Sequence, residues 1–188
     1  MAERTSFRIR IAAALTEVIS IVFAVVVALA ADEWRENRQL QQQADAARAA
    51  VVRELRANRD ELAATEESIE DAFAGLERAA AEIDSGQARS ALRVDLSLPD
   101  LSSGAWEGAR LVAASGRFDV DWLVRVAQLY ETQKLYDVFR IELLRSMGEL
   151  SLPNSPELVP RLAGQVGVLR QLHGELADRY DTVLAGET

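Results

Sequence analysis

Residues 11–31 read IAAALTEVISIVFAVVVALAA, an apolar run that only Thr16, Glu17 and Ser20 interrupt. At about 1.5 Å per residue such a run rises roughly 30 Å as a helix, the thickness of a bilayer's hydrocarbon core. Arg8 and Arg10 flank one end and Asp32, Glu33, Trp34 and Arg35 the other, with Trp34 where an interfacial aromatic belongs. The run therefore predicts a transmembrane helix over 11–31. The competing reading is a cleaved signal peptide, since Arg4, Arg8 and Arg10 precede the run and Ala28-Leu29-Ala30 has a small-x-small pattern. The length of the run, and the helix-forming sequence that follows it without Pro or Gly, favour a retained anchor. The densely basic N-terminal tail places residues 1–10 in the cytoplasm and 32–188 outside it, as a single-pass membrane protein.

A carboxylate in hydrocarbon is costly and usually faces protein or water. Glu17 falls on a stripe of small or polar residues, Ala13, Glu17, Ser20, Ala24, Ala28 and Ala31, spaced 4, 3, 4, 4 and 3. Small residues at this spacing let helices approach closely. The stripe is the candidate membrane helix-helix contact, with Glu17 as a polar tie. The expected partners are membrane lipid and either other membrane subunits or a second copy of the chain. The bland alternative is that Glu17 lies shallow and reaches the headgroups.

From Asp32 to Ile83 there is no proline and only Gly75, and helix formers dominate. Leu55, Leu62, Ile69, Leu76 and Ile83 recur every seven residues, with Val51, Asn58, Thr65, Ala72 and Ala79 between them: an a/d seam. Asn58 and Thr65 are polar residues at core-like positions, of the kind that fix register. The seam packs either inside its own chain or against another copy. Ser85-Gly86 ends this helix. Leu92, Val94, Leu96 and Leu98 alternate with polar residues, which suggests a short extended segment before Pro99. A short helix is expected over 103–115. Asp119 reads as the N-cap of a third helix over 120–148, with apolar positions Leu123, Ala127, Tyr130, Val138, Ile141 and Leu144. Ser155-Pro156 starts a fourth, striped by Leu162, Val166, Leu169, His173, Leu176, Tyr180 and Val183. The fold class is all-α: one N-terminal transmembrane helix continuing into a long helix, packed with three further helices in a soluble helical bundle.

No catalytic, cofactor-binding or metal-ligating residues emerge. The net charge of −9 disfavours nucleic acid, and the absence of cysteine removes disulfides and thiol chemistry. His173, the single histidine, lies on an apolar stripe and reads as a core residue; with no second histidine, neither a dimetal site nor a haem in the span is supported. Glu66-Glu67 and Glu70-Asp71 read as a solvated helix face. Trp106, Trp122, Tyr130 and Tyr136, at helical spacing, read as core rather than as a pocket. There is no P-loop, dinucleotide fingerprint or nucleophile elbow, and no small-molecule substrate is implied.

Glu17, the valine- and isoleucine-rich run, and Ala28-Leu29-Ala30-Ala31-Asp32-Glu33-Trp34-Arg35-Glu36 together resemble the N-terminus of an uncharacterised bacterial single-pass membrane-protein family. Its span carries an early Glu and ends in an Ala-Leu-x-x-Asx-x-Trp-x-Glu stretch that leads into a long polar helix. Ser103-Gly104-Ala105-Trp106-Glu107 with Ala114-Ser115-Gly116 resembles a second pattern there. Ala30-Ala31 stands where that family is bulkier or polar. The resemblance implies an anchor and a bacterial origin and brings no activity. The expected function is a non-enzymatic, membrane-anchored interaction or scaffold module. The alternative is an accessory structural subunit of a larger energy-transducing membrane complex, photosynthetic or respiratory.

Overall fold

The computed structural model describes the backbone of residues 2–86, 94–113, 116–149 and 158–187, and the side chains of these except 2–19, 21, 113 and 149. The described residues form four helices and no strand: α1 Ala2–Asp84, α2 Gly104–Ala113, α3 Val120–Glu149 and α4 Leu158–Ala185. The chain divides into two compact units, Met1–Ala46 and Ala47–Thr188.

In the first unit, α1 carries a row of exposed apolar side chains: Val22, Phe23, Val25, Val26, Val27, Leu29 and Trp34. Arg38 lies over the Trp34 ring at 5.3 Å, and Gln41 donates to Asp45 one turn on. Among the described residues no helix is long and apolar enough to cross a membrane. Of the span expected over 11–31, the side chains of 11–19 and 21 lie outside the described residues. The transmembrane segment therefore gains no support from the part that is described.

The second unit is an all-helical bundle. The seam of α1 is its spine: Val51, Leu55, Leu62, Ile69, Leu76 and Ala79 are all but inaccessible, and Asn58, Thr65 and Ala72 are buried with them. The 4-3 repeat is thus satisfied within one chain. Helix α4 runs antiparallel to α1, as Arg48 pairs with Glu187, Arg59 with Asp181 and Glu70 with Arg170 in reverse order. These pairs lie mostly at the surface and add little stability each. At Gly167 the contact is tight: an added Cβ would stand 3.1 Å from the Phe73 ring. The α4 stripe Leu162, Val166, Leu169, His173, Leu176, Tyr180 and Val183 is buried throughout, as its spacing predicts. Helix α3 packs against α4, with Gln133 meeting Tyr180 and Ser146 meeting Gln165.

Helix α1 ends at Asp84, and the turn after it closes on Gly86, whose φ of 77° is the left-handed value that Gly adopts without steric cost. Asp119 caps α3, its carboxylate accepting the Trp122 amide at 2.7 Å. The Ser155-Pro156 start proposed for the fourth helix lies outside the described residues. So do Leu92 and Arg93 of the expected extended segment. From 94 onward the segment runs without regular structure, yet the alternation is real: Val94, Leu96 and Leu98 pack on the core while Asp95 and Ser97 stay exposed. Its Ser97 amide donates to Ser68 Oγ instead of to a neighbouring strand.

Helix α3 departs from the sequence reading. Val138, Ile141 and Leu144, expected among its packed positions, are at least half exposed. The side chains that face the bundle are Trp122, Val126, Leu129, Tyr130, Gln133, Tyr136, Leu143 and Ser146. Leu123, Ala127 and Tyr130, expected with them, do pack on the core, so the expectation holds in the first half of the helix and fails in the second, where Gln133 and Ser146 are among the residues that face inward.

Candidate functional site

The chemically richest part of the bundle is a polar layer centred on Glu54 and Asn58 of α1. The Asn58 amide works as a surrogate backbone group. Its Nδ2 donates to the Ser102 carbonyl at 2.8 Å, and its Oδ1 accepts the Ser102 amide at 2.9 Å. Nδ2 also reaches the Tyr180 hydroxyl, at 3.1 Å. Tyr180 donates onward to Gln133 Oε1 at 2.6 Å, and Gln133 Nε2 returns to the Ser102 carbonyl at 3.1 Å. The donors and acceptors close into a ring across α1, the 94–103 segment, α3 and α4. Such a ring is satisfied only in one arrangement of the four pieces.

One turn earlier, Glu54 caps α2 from another helix. Its carboxylate accepts the amides of Ala105 and Trp106, at 2.8 and 3.2 Å, where a helix N-terminus has amides without partners. It also accepts the Ser102 hydroxyl at 2.9 Å and the Tyr130 hydroxyl at 2.6 Å. The Tyr130 ring stacks on Trp106 at 5.4 Å. Burial would push the Glu54 carboxyl up, but the hydrogen bonds, that of Tyr130 foremost, outweigh it and hold the group below its usual range. Burial pushes the Tyr130 phenol far up, and the Glu54 charge adds to that. A carboxylate held ionised and a phenol held neutral make a fixed clamp, not an acid–base pair poised near neutral pH.

His173 is buried on α4 beside Tyr136, with ring centroids 6.1 Å apart. Burial depresses its pKa, against the pull of Glu66 and a backbone hydrogen bond at Leu62. The imidazole is therefore neutral when folded near pH 7. A group whose folded pKa lies below its unfolded value stabilises the fold above the unfolded pKa, near 6.5, and that contribution is lost as pH falls through the folded value. Melting of the full chain should accordingly drop between pH 7 and pH 5. His173→Gln should flatten that slope; an unchanged slope would show that other groups cause it. Glu54 acts by the same sign in a lower window, below about pH 4.5.

Trp122 stacks on Phe118 at 5.5 Å and lies under Arg48 at 5.2 Å, while Arg48 forms two hydrogen bonds with Glu187. Trp106, Trp122, Tyr130 and Tyr136 are all buried, so the four aromatics belong to the core, as their spacing suggests. Glu66, Glu67, Glu70 and Asp71 are exposed. A groove of about 630 Å³ lies beside them, lined by Glu67, Ser68, Asp71, Arg78 and Asp95 among others. Among the described residues no three His, Asp or Glu gather as a metal site.

Of the expected helix-helix stripe, Ala13 and Glu17 lie outside the described side chains, and Ser20, Ala24 and Ala28 are exposed on α1. Among the described residues nothing covers them. Asn58 stands out by its place in the heptad, but Glu54, Gln133 and the two tyrosine hydroxyls carry no signal in the sequence. Their partners lie 31 to 122 residues away. No family model matches the chain, and neither a curated protein nor a solved structure matches it.

Proposed function

We propose that this chain is a non-enzymatic interaction module anchored in a membrane by residues 11–31, with its helical bundle on the extracytoplasmic side. The observation that carries the reading is the exposed row Val22, Phe23, Val25, Val26, Val27 and Leu29. At about 100° per residue these positions cover about 200° of the helix, and Ala24, Ala28 and Ala31 fill the remainder. A helix apolar on all sides is stable where it is surrounded by apolar material, either lipid or protein. Residues 11–21, IAAALTEVISI, extend this apolar stretch toward the N-terminus to the length of a span. The flanking arginines and Trp34 support lipid over a protein core. The small-residue stripe Ala13, Glu17, Ser20, Ala24 and Ala28 is the contact proposed for a neighbouring membrane helix. The buried clamp at Glu54 and Asn58 supports a structural role for the bundle over a catalytic one.

Fractionation of the full chain tests the anchor. After alkaline carbonate extraction the protein should stay in the membrane pellet, with an intact mass that includes residues 11–31. Release into the supernatant, or a mature N-terminus at Ala31, would sink the reading.

A further inference from the structure

We propose that the outward face of α3 is a self-complementary interface that pairs two copies of this chain antiparallel about Val138. Val138 is 59% exposed, Ile141 52% and Leu135 47%. With Phe139, they make an apolar band on a helix whose opposite side already fills the core. A depression of about 340 Å³, lined by Val138, Phe139, Ile141, Glu142 and Arg145, lies on this face. It offers a hole for an incoming side chain.

The occupant follows from the order of residues along the face. At about 100° per residue, Glu131, Lys134, Leu135, Val138, Ile141, Glu142 and Arg145 fall within an arc of about 120°. Reading outward from Val138 in both directions, Leu135 mirrors Ile141, Lys134 mirrors Glu142, and Glu131 mirrors Arg145. The face is a palindrome in size and an inverted palindrome in charge. A two-fold axis through Val138 therefore sets apolar against apolar. It also sets each Lys134 against the other copy's glutamate at 142, and each Glu131 against its arginine at 145. That is the requirement for an isologous pair. A parallel two-fold would instead bring Glu131 to Glu131 and Lys134 to Lys134, which like-charge repulsion disfavours. Glu142 and Arg145 pair with each other within the helix, both more than half exposed; an exposed ion pair of this kind is weak and can exchange partners at small cost. The contact is about 22 Å long, less than the roughly 800 Å² per partner of a standard interface requires, so the pairing is reversible and concentration-dependent. Every residue it uses lies in the unit Ala47–Thr188, so it does not rest on the membrane anchor.

The chain has no cysteine, which makes disulfide mapping clean. The test uses the full chain in mild detergent with single substitutions. Val138→Cys should crosslink to itself on oxidation. A mixture of Leu135→Cys and Ile141→Cys chains, one of them size-tagged, should give several-fold more mixed dimer than either self-dimer. Adding Lys134→Glu to Val138→Cys should lower crosslinking about five- to tenfold, since two charge pairs are reversed. Adding Glu142→Lys as well should restore it, with helicity unchanged throughout. A dimer held by the N-terminal helix alone would not show this pattern. Self-dimers of Leu135→Cys exceeding the mixed product would mean a parallel pair and overturn the proposal. Absence of crosslinking at all three positions, or crosslinking only to another protein, would overturn it equally.

Discussion

Replacing Leu62 by aspartate is expected to unfold the bundle or bring it to the edge of unfolding. Leu62 has no solvent exposure and sits in the middle of the α1 seam. Its neighbours on the seam, Asn58 and Thr65, are polar but uncharged, and the nearby His173 is held neutral by burial. The nearest arginine on α1, Arg59, is already engaged with Asp181. A carboxylate there loses its hydration without gaining a cation and leaves a cavity where the isobutyl group was. The loss should exceed about 4 kcal/mol, against total stabilities of about 5–15 kcal/mol for natural domains. Thermal melting followed by tryptophan fluorescence reports on it, since Trp106 and Trp122 are both in the core. The informative control is Val138→Asp, the same chemistry on an exposed position, which should cost less than about 0.5 kcal/mol at dilutions where the chain is monomeric. If Leu62→Asp melts like the unsubstituted chain, the seam is not the core of this fold.

The contrast between Leu62 and Val138 also marks how far the sequence could be read. Along the bundle part of α1 and along α4 one regular 4-3 stripe exists, and all of it is buried, down to Asn58, Thr65 and His173, except Ile83, which is partly so. A single apolar stripe has a single interpretation. Helix α3 has apolar residues on two faces, and periodicity alone cannot rank them. The inner face is interrupted by Gln133 and Ser146, which are tolerated there because Gln133 joins the ring at Ser102 and Ser146 accepts from Gln165. The sequence reading follows the inner face at Leu123, Ala127 and Tyr130 and crosses to the outer one at Val138, Ile141 and Leu144. Whether the seam closes within a chain or between chains was likewise open, because a heptad specifies a partner stripe and not its source. The alternation at Val94, Leu96 and Leu98 was legible as extended chain. It did not become a strand because the segment lies against helices, which offer it side-chain partners such as Ser68 and not a backbone ladder.

The polar layer was visible only at Asn58, and the consequences of removing it are the second large effect expected. Asn58→Leu keeps the volume roughly constant and removes three hydrogen bonds. Gln133 still donates to the Ser102 carbonyl and still accepts from Tyr180, so two of the three orphaned groups keep a partner. The Ser102 amide loses the side-chain acceptor that held it. The expected loss is about 2–3 kcal/mol, from the bonds and from releasing the 94–103 segment. Asn58→Asp has nearly the same shape as Asn58 and should be worse at neutral pH. It turns the donor facing the Ser102 carbonyl into a second acceptor and buries a charge one turn from Glu54. Burial of that carboxyl raises its folded pKa above the unfolded value. A group shifted in this direction destabilises the fold most at high pH, and the penalty falls as pH drops through the raised pKa and the acid regains a proton to donate. Asn58→Asp should therefore move toward Asn58→Leu as pH falls from 7 to 5, each measured against the unsubstituted chain at the same pH, which removes the acid losses from His173. Hydrogen exchange at the Ser102 amide should quicken in both variants. If Asn58→Asp is as stable as the parent at pH 7, the amide's donor bonds do not hold the 94–103 segment to the bundle.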